Sequence, residues 1–172
     1  RRVSMRIQIP EGQDMVMHIV TEMGSPRLNQ RLRESWDYQY DNDSTLTPRE
    51  REAARIRTAH LMGCTMCVDV RMGRDKPGFS PEPIPEELYT EVFDYTTSPV
   101  YSDRERLCIE FAERYSLDYK DMADDEEFWD RMRLHFTEQE WADLCLLCAT
   151  WEQATKMFHI LVGTKIACSV AR

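Results

Sequence analysis

Cys64 and Cys67 stand three positions apart in residues 47–74, TPREREAARIRTAHLMGCTMCVDVRMGR. A thiolate is a nucleophile and a metal ligand, so the spacing suits three fates. The two sulfurs form a cycling disulfide, supply part of a metal site, or simply pack as small hydrophobes beside methionine and alanine. Residues three apart on a helix have Cα atoms about 5 Å apart, within the range a disulfide accepts. A metal site needs further Cys or His ligands, and none nearby in sequence completes a tetrahedral set.

The surrounding pattern predicts one continuous helix over 47–74. Thr47 and Glu50 form a Thr-x-x-Glu capping box with Pro48 at the first helical position. On a wheel with Glu52 at zero, Cys67 falls near ~60°, His60 near ~80°, Arg71 near ~100° and Cys64 near ~120°. Val70, Ala59, Met66 and Met62 fill roughly 280–360° on the same wheel and face a core. The cysteines thus lie beside the packed face, a placement that suits a pocket. Well inside such a helix the dipole gives them little help, so a lowered Cys67 pKa has to come from Arg71 and His60. Glu52 borders the sector as a proton-relay group or as a solvated first-turn glutamate. The charge run Arg49 to Arg57 is expected to be a solvated face.

A second pair, Cys145 and Cys148, shares a stripe with Trp141, Glu152 and His159. Packed inner face is the simpler reading. The functional reading has Glu152 and His159 line a pocket opposite the first pair, and a four-thiol zinc site from both pairs is the remaining alternative. Cys108 and Cys168 are expected to be bystanders, and His18 and His135 have no assigned role.

The elements that must position these groups are helical throughout. Residues 13–23 are apolar at helical spacing and stop at Gly24, and Pro26 opens a helix through about Tyr40. Residues 75–85, DKPGFSPEPIP, form a proline-rich loop, and Pro85 starts a short helix to Tyr95. Ser102-x-x-Glu105 caps a helix to about Leu117, and Glu126 to His135 is a short one. Thr137-x-x-Glu140 caps a helix to about Leu161, followed by a short helical tail with Ile166, Ala167, Cys168 and Val170. No strand pattern interrupts this. The fold class is all-α, a single domain of about six to eight helices behind an irregular arm at 1–12.

Composition narrows the partners. A net charge of −9 over 172 residues argues against a nucleic-acid backbone or an anionic membrane. No apolar run approaches the roughly 20 residues that cross a bilayer. The basic N-terminal RRVSMRIQIPEGQ lacks the apolar segment of a secretory signal. With no initiator Met, the true start is expected upstream. A chain this long with long helices needs no disulfide staples, so a cytoplasmic protein with reduced thiols is expected.

The Thr-Pro-Arg-Glu-Arg-Glu start leading into a Cys-x-x-Cys helix resembles the carboxymuconolactone decarboxylase superfamily, in its AhpD-like alkylhydroperoxidase branch. That branch carries a Glu, eleven intervening residues, the Cys-x-x-Cys pair, then three residues and a His. Glu52, Cys64 and Cys67 match in type and spacing, and Arg71 stands where the His belongs. SDRERLCIEFAERYSLD and LHFTEQEWADLCLLCATWEQATKMFHILVG resemble the two C-terminal helices. The likeness covers about residues 20–165, the length of one domain, with a longer loop at 75–85. It implies Cys67 as attacking thiol, Cys64 as resolving thiol and Glu52 in a proton relay. A guanidinium is no base, so His60 is the substitute. The implied activity is reduction of a peroxide or disulfide with an external thiol reductant and no bound cofactor. A decarboxylase- or isomerase-like activity on a small carboxylated or lactone substrate, held by Arg71, is the alternative. A non-catalytic oligomer is the third reading. The likeness also implies a homo-oligomer, trimer or hexamer.

Overall fold

The computed structural model describes residues 5–163, and the expected tail with Cys168 lies outside the described residues. Among the described residues there are ten α-helices and one 3-10 turn, with no strand. The helices are α1 (Met15–Thr21), α2 (Pro26–Tyr38), α3 (Pro48–Leu61), α4 (Thr65–Asp69), α5 (Met72–Asp75) and α6 (Glu87–Thr90), then the turn Val92–Asp94. After it come α7 (Asp103–Leu117), α8 (Tyr119–Ala123), α9 (Glu126–His135) and α10 (Glu138–Val162). The count exceeds six to eight because α4, α5, α6 and α8 are pieces of one turn or little more.

The three expected capping boxes form at the starts of α3, α7 and α10. Each joins the N-cap hydroxyl to the third residue's amide and that residue's glutamate to the N-cap amide. α3 packs chiefly on α7 and then on α10. The main core lies among α7, α9 and α10, with Phe128, Met132, Leu144 and Cys108 sealed inside. Ile56, Leu88 and Val92 centre a second cluster under α6. A third, around Ile19, Phe158 and Val162, takes Ile7 and Ile9 from the N-terminal arm.

α3 corrects one expectation. Its charge run is interior: Glu50, Arg51, Glu52 and Arg55 are all buried. Helices surround α3, so several of its charges are met by partners from other elements. Arg104 reaches Glu50 at 2.5 Å, Arg49 reaches Glu105 at 2.6 Å and Arg57 reaches Glu113 at 2.7 Å.

The expected single helix over 47–74 is also corrected, because the chain turns at Gly63. Gly63 takes φ 65°. Its N–H donates to His60 O at 3.1 Å, and the Cys64 N–H donates to Ala59 O at 3.0 Å. That is the paired bonding of a Schellman end with glycine in the left-handed position. Helix α3 therefore stops and a new one starts at Cys64. Gly63→Ala places no atom against a neighbour, since a Cβ there meets nothing within 4 Å. Its cost is the left-handed backbone alone, and urea unfolding is expected to show a loss of about 1–2 kcal/mol.

α1 and α2 form a corner pinned by one side chain. Asn29 donates to Glu22 O and Gly24 O and accepts the Gly24 N–H at 2.7 Å. Beyond α2, Arg51 holds Gln39 O at 3.0 Å and Asp41 O at 2.8 Å, while Asp143 of α10 accepts the Tyr38 hydroxyl at 2.8 Å. These bonds set Gln39 and Tyr40 over the first turns after Gly63.

Candidate functional site

Breaking the helix at Gly63 puts the cysteines at a helix start rather than in a helix middle. Cys64 is the N-cap of α4, and its sulfur accepts the Cys67 N–H at 3.2 Å. The amide turned to the pair is that Cys67 N–H, and a hydrogen bond to the charged form favours a thiolate on Cys64. The pair is joined as a disulfide with Cα atoms 5.2 Å apart, within the range expected from the spacing. Cys64 is buried and Cys67 partly exposed.

Both cysteines line a cavity of about 190 Å³. Its walls come from five places: Val16 of α1, Trp36 to Tyr40 at the end of α2, Arg55 to Ala59 of α3, the cysteine turn through Met72, and α10. α10 contributes Trp151, Ala154, Thr155 and Phe158. The Trp151 indole N–H donates to the Gln39 amide oxygen at 3.0 Å, fixing one wall. Most of the lining is apolar, and Arg55 is its one ionised side chain.

Arg55 is the group that sequence reasoning missed. It is buried with Glu52, donating from Nε at 2.5 Å and Nη2 at 3.0 Å to the two carboxylate oxygens. The other guanidinium protons reach Cys67 O at 2.7 Å and Val70 O at 2.8 Å. Glu52 in turn accepts the Met72 N–H at 3.0 Å. One buried ion pair thus satisfies three backbone groups, two carbonyls within and just after α4 and the first amide of α5, and so sets the cysteine turn against α3. Burial and Glu52 act on Arg55 in opposite senses, and the carboxylate prevails, keeping its pKa above the usual value. A signal existed in the sequence, since Arg55 lies near ~300° on the α3 wheel, inside the sector assigned to the core.

The remaining predicted residues divide. Glu52 meets the site through Arg55 and is absent from the cavity wall. Arg71 turns away, paired with Glu86 at 2.7 Å and lying 4.3 Å over the Tyr89 ring. His60 packs edge-on against Phe93 with ring centres 4.7 Å apart, and burial together with Arg57 and Arg71 lowers its pKa. The structure brings Cys64 and Cys67 together with Glu52 behind them, and leaves Arg71 and His60 on another face. The cause is again Gly63: past it, the α3 wheel no longer applies.

On α10 the cavity face is Trp151, Ala154, Thr155 and Phe158, one residue out of step with the predicted Glu152 and His159. Glu152 bonds Lys156 at 2.5 Å, and His159 Nε2 is buried without a hydrogen-bond partner among the described residues. Cys148 is sealed in the main core, where burial pushes its thiol well up, as it does Cys108. Cys145 is exposed. Among the described residues no three His, Cys, Asp or Glu gather where a metal ion could sit. None of the helices described is long and apolar enough to cross a membrane.

No protein-family model and no solved structure matches the chain. Over 108 residues, 63% of the chain and 70% of the relative, it is 25% identical to the uncharacterized protein YdfG of Bacillus subtilis.

Proposed function

We propose that this chain is a thiol-dependent oxidoreductase that reduces a peroxide or disulfide through Cys64 and Cys67, in the manner of the AhpD-like branch it resembles. The supporting observation is a disulfide set at a helix start and lining an apolar cavity, with Cys67 the more accessible residue. In the reduced enzyme the Cys67 thiolate attacks the terminal oxygen of a hydroperoxide. The O–O bond breaks, the alkoxide leaves and is protonated to the alcohol, and Cys67 becomes a sulfenic acid. Cys64 then attacks that sulfur, a disulfide forms and water departs. An external dithiol restores both thiols by exchange and is itself oxidised. The balance is two thiols and one hydroperoxide giving one disulfide, one alcohol and one water, with no resident cofactor.

Glu52 serves here by holding Arg55, since both its oxygens are engaged. Arg55 in turn holds the carbonyls behind Cys67. The decarboxylase- or isomerase-like alternative asks Arg71 to grip a carboxylate in the cavity, and Arg71 instead pairs with Glu86 outside it. A homo-oligomer belongs to the same proposal. Leu134, Ile160, Leu117 and Leu146 supply exposed apolar surface for it.

The test is hydroperoxide consumption driven by a dithiol, in the natural chain and in Cys67→Ser. Loss of turnover with the substitution supports the proposal. Activity on an organic acid that survives it supports the alternative, and no activity of either kind leaves the non-catalytic reading.

A further inference from the structure

The two sulfurs are not equivalent, and their surroundings pull in opposite directions. Cys64, as N-cap of α4, receives the Cys67 N–H at 3.2 Å. A hydrogen bond to the charged form of a group stabilises that form, so the Cys67 N–H favours charge on Cys64. Yet Cys64 is only 3% exposed, and the sulfur a reactant meets is Cys67. Something must favour charge on Cys67 if it is to attack.

The hydroxyl of Thr155 is the group placed to do so. It comes from α10, on the opposite wall, and lies 4.0 Å from Cys67 Sγ. Several hydroxyls on these helices turn back to their own backbone: Thr58 donates to Ala54 O at 3.0 Å, Ser116 to Ala112 O at 3.0 Å, and Thr150 to Leu146 O at 2.9 Å. Such back-bonding is the ordinary habit of Ser and Thr within helices. Thr155 is aimed at sulfur instead, from a buried position among Trp151, Met66 and Phe158. In such a dry setting a hydrogen bond to a charged acceptor is stronger than one to a neutral group.

We propose that Thr155 is a positioning residue that donates its hydroxyl proton to the Cys67 sulfur of the reduced pair and so places the thiolate on Cys67 rather than Cys64. This rests on the oxidoreductase reading for its purpose. As the pair is reduced, Cys67 Sγ is released from Cys64 and turns about its own side-chain bonds. A movement of roughly 0.5–1 Å brings it within reach of a donor, the O–H···O range being longer for the larger sulfur. The charge then sits on the more exposed sulfur, and Cys64 stays a thiol until it is needed to resolve.

The test uses the full chain, reduced and then desalted, with iodoacetamide as the probe. Alkylation at Cys64 and at Cys67 is followed separately by peptide mass across pH 5 to 10, for the natural chain, Thr155→Val and Thr155→Ser. Valine keeps the shape and removes the donor, while serine restores it. The expected result is a Cys67-to-Cys64 labelling ratio about tenfold lower in Thr155→Val, the change of one pKa unit. The Cys67 pH profile should move upward, and Thr155→Ser should return both towards the natural values. A merely structural role would lower melting temperature without redistributing label between the two sulfurs. An unchanged ratio and unchanged Cys67 profile in a folded Thr155→Val overturn the proposal, whatever the protein does with peroxide. Conversely, a shifted ratio in a protein that consumes no peroxide keeps the role of Thr155 and removes the oxidoreductase reading.

Discussion

Arg55→Ala is expected to lower the unfolding free energy by about 3–5 kcal/mol, the cost of leaving one member of a buried ion pair without its partner. Glu52 is 1% exposed and has no route to water in place. The substitution also abandons Cys67 O and Val70 O, which Arg55 now satisfies. Because the loss falls on the cysteine turn, residues 64–72 should become the first site of limited proteolysis. Removing both charges, in Glu52→Leu with Arg55→Met, should hurt less than Arg55→Ala alone. The uncompensated carboxylate is then gone, and the double variant loses only one backbone partner more than Arg55→Ala, that of the Met72 N–H, at about 1–3 kcal/mol. Urea unfolding of the three proteins measures this. A loss below about 1 kcal/mol for Arg55→Ala, the scale of an exposed pair, would mean that Glu52 reaches solvent and that the pair does not hold the turn.

The second large effect concerns the two sulfurs. Cys67→Ser is expected to abolish dithiol-driven hydroperoxide consumption, by roughly three orders of magnitude or more, as when a nucleophile that works with partners is removed. Cys64→Ser should behave differently. Its Cys67 still attacks once, giving a burst of one equivalent and a sulfenic acid that a dimedone-type reagent captures. Sustained turnover then depends on the external thiol alone to resolve it. The asymmetry separates a cycling pair from a structural disulfide, for which the two serine variants would be equally inactive and equally destabilised.

How far the sequence reveals this site depends on which physical effects are local. The capping boxes at Thr47, Ser102 and Thr137 are local hydrogen-bond patterns, and each starts a helix as expected. The all-helical character follows from periodicity in the same way. The break at Gly63 was within reach, because a glycine closing one helix directly before a residue able to cap the next is a stop signal. A wheel carried through it runs past the end of α3 and places Arg71 and His60 with the sulfurs on a face they do not share. The interior position of Glu50, Arg51, Glu52 and Arg55 was less legible. Charged residues in sequence look alike whether water or partner side chains satisfy them, and the partners here lie up to 54 positions away. Thr155 was invisible for a related reason. Its distance from Cys67 spans 88 positions, and only the packing of α10 against α3 closes that gap. Even so, the Trp151, Ala154, Thr155, Phe158 spacing is that of one helical face, the kind that lines a pocket wall.

The central claim is that Cys64 and Cys67 are a cycling pair facing a reactant. The most direct measurement takes fully reduced protein, adds one equivalent of an organic hydroperoxide, quenches by denaturing alkylation and maps the cysteines by mass. The account predicts one alcohol formed per chain, a Cys64–Cys67 disulfide, and Cys108, Cys145 and Cys148 all labelled as thiols. Cys64 and Cys67 both recovered as alkylated thiols, with the hydroperoxide intact, would contradict it.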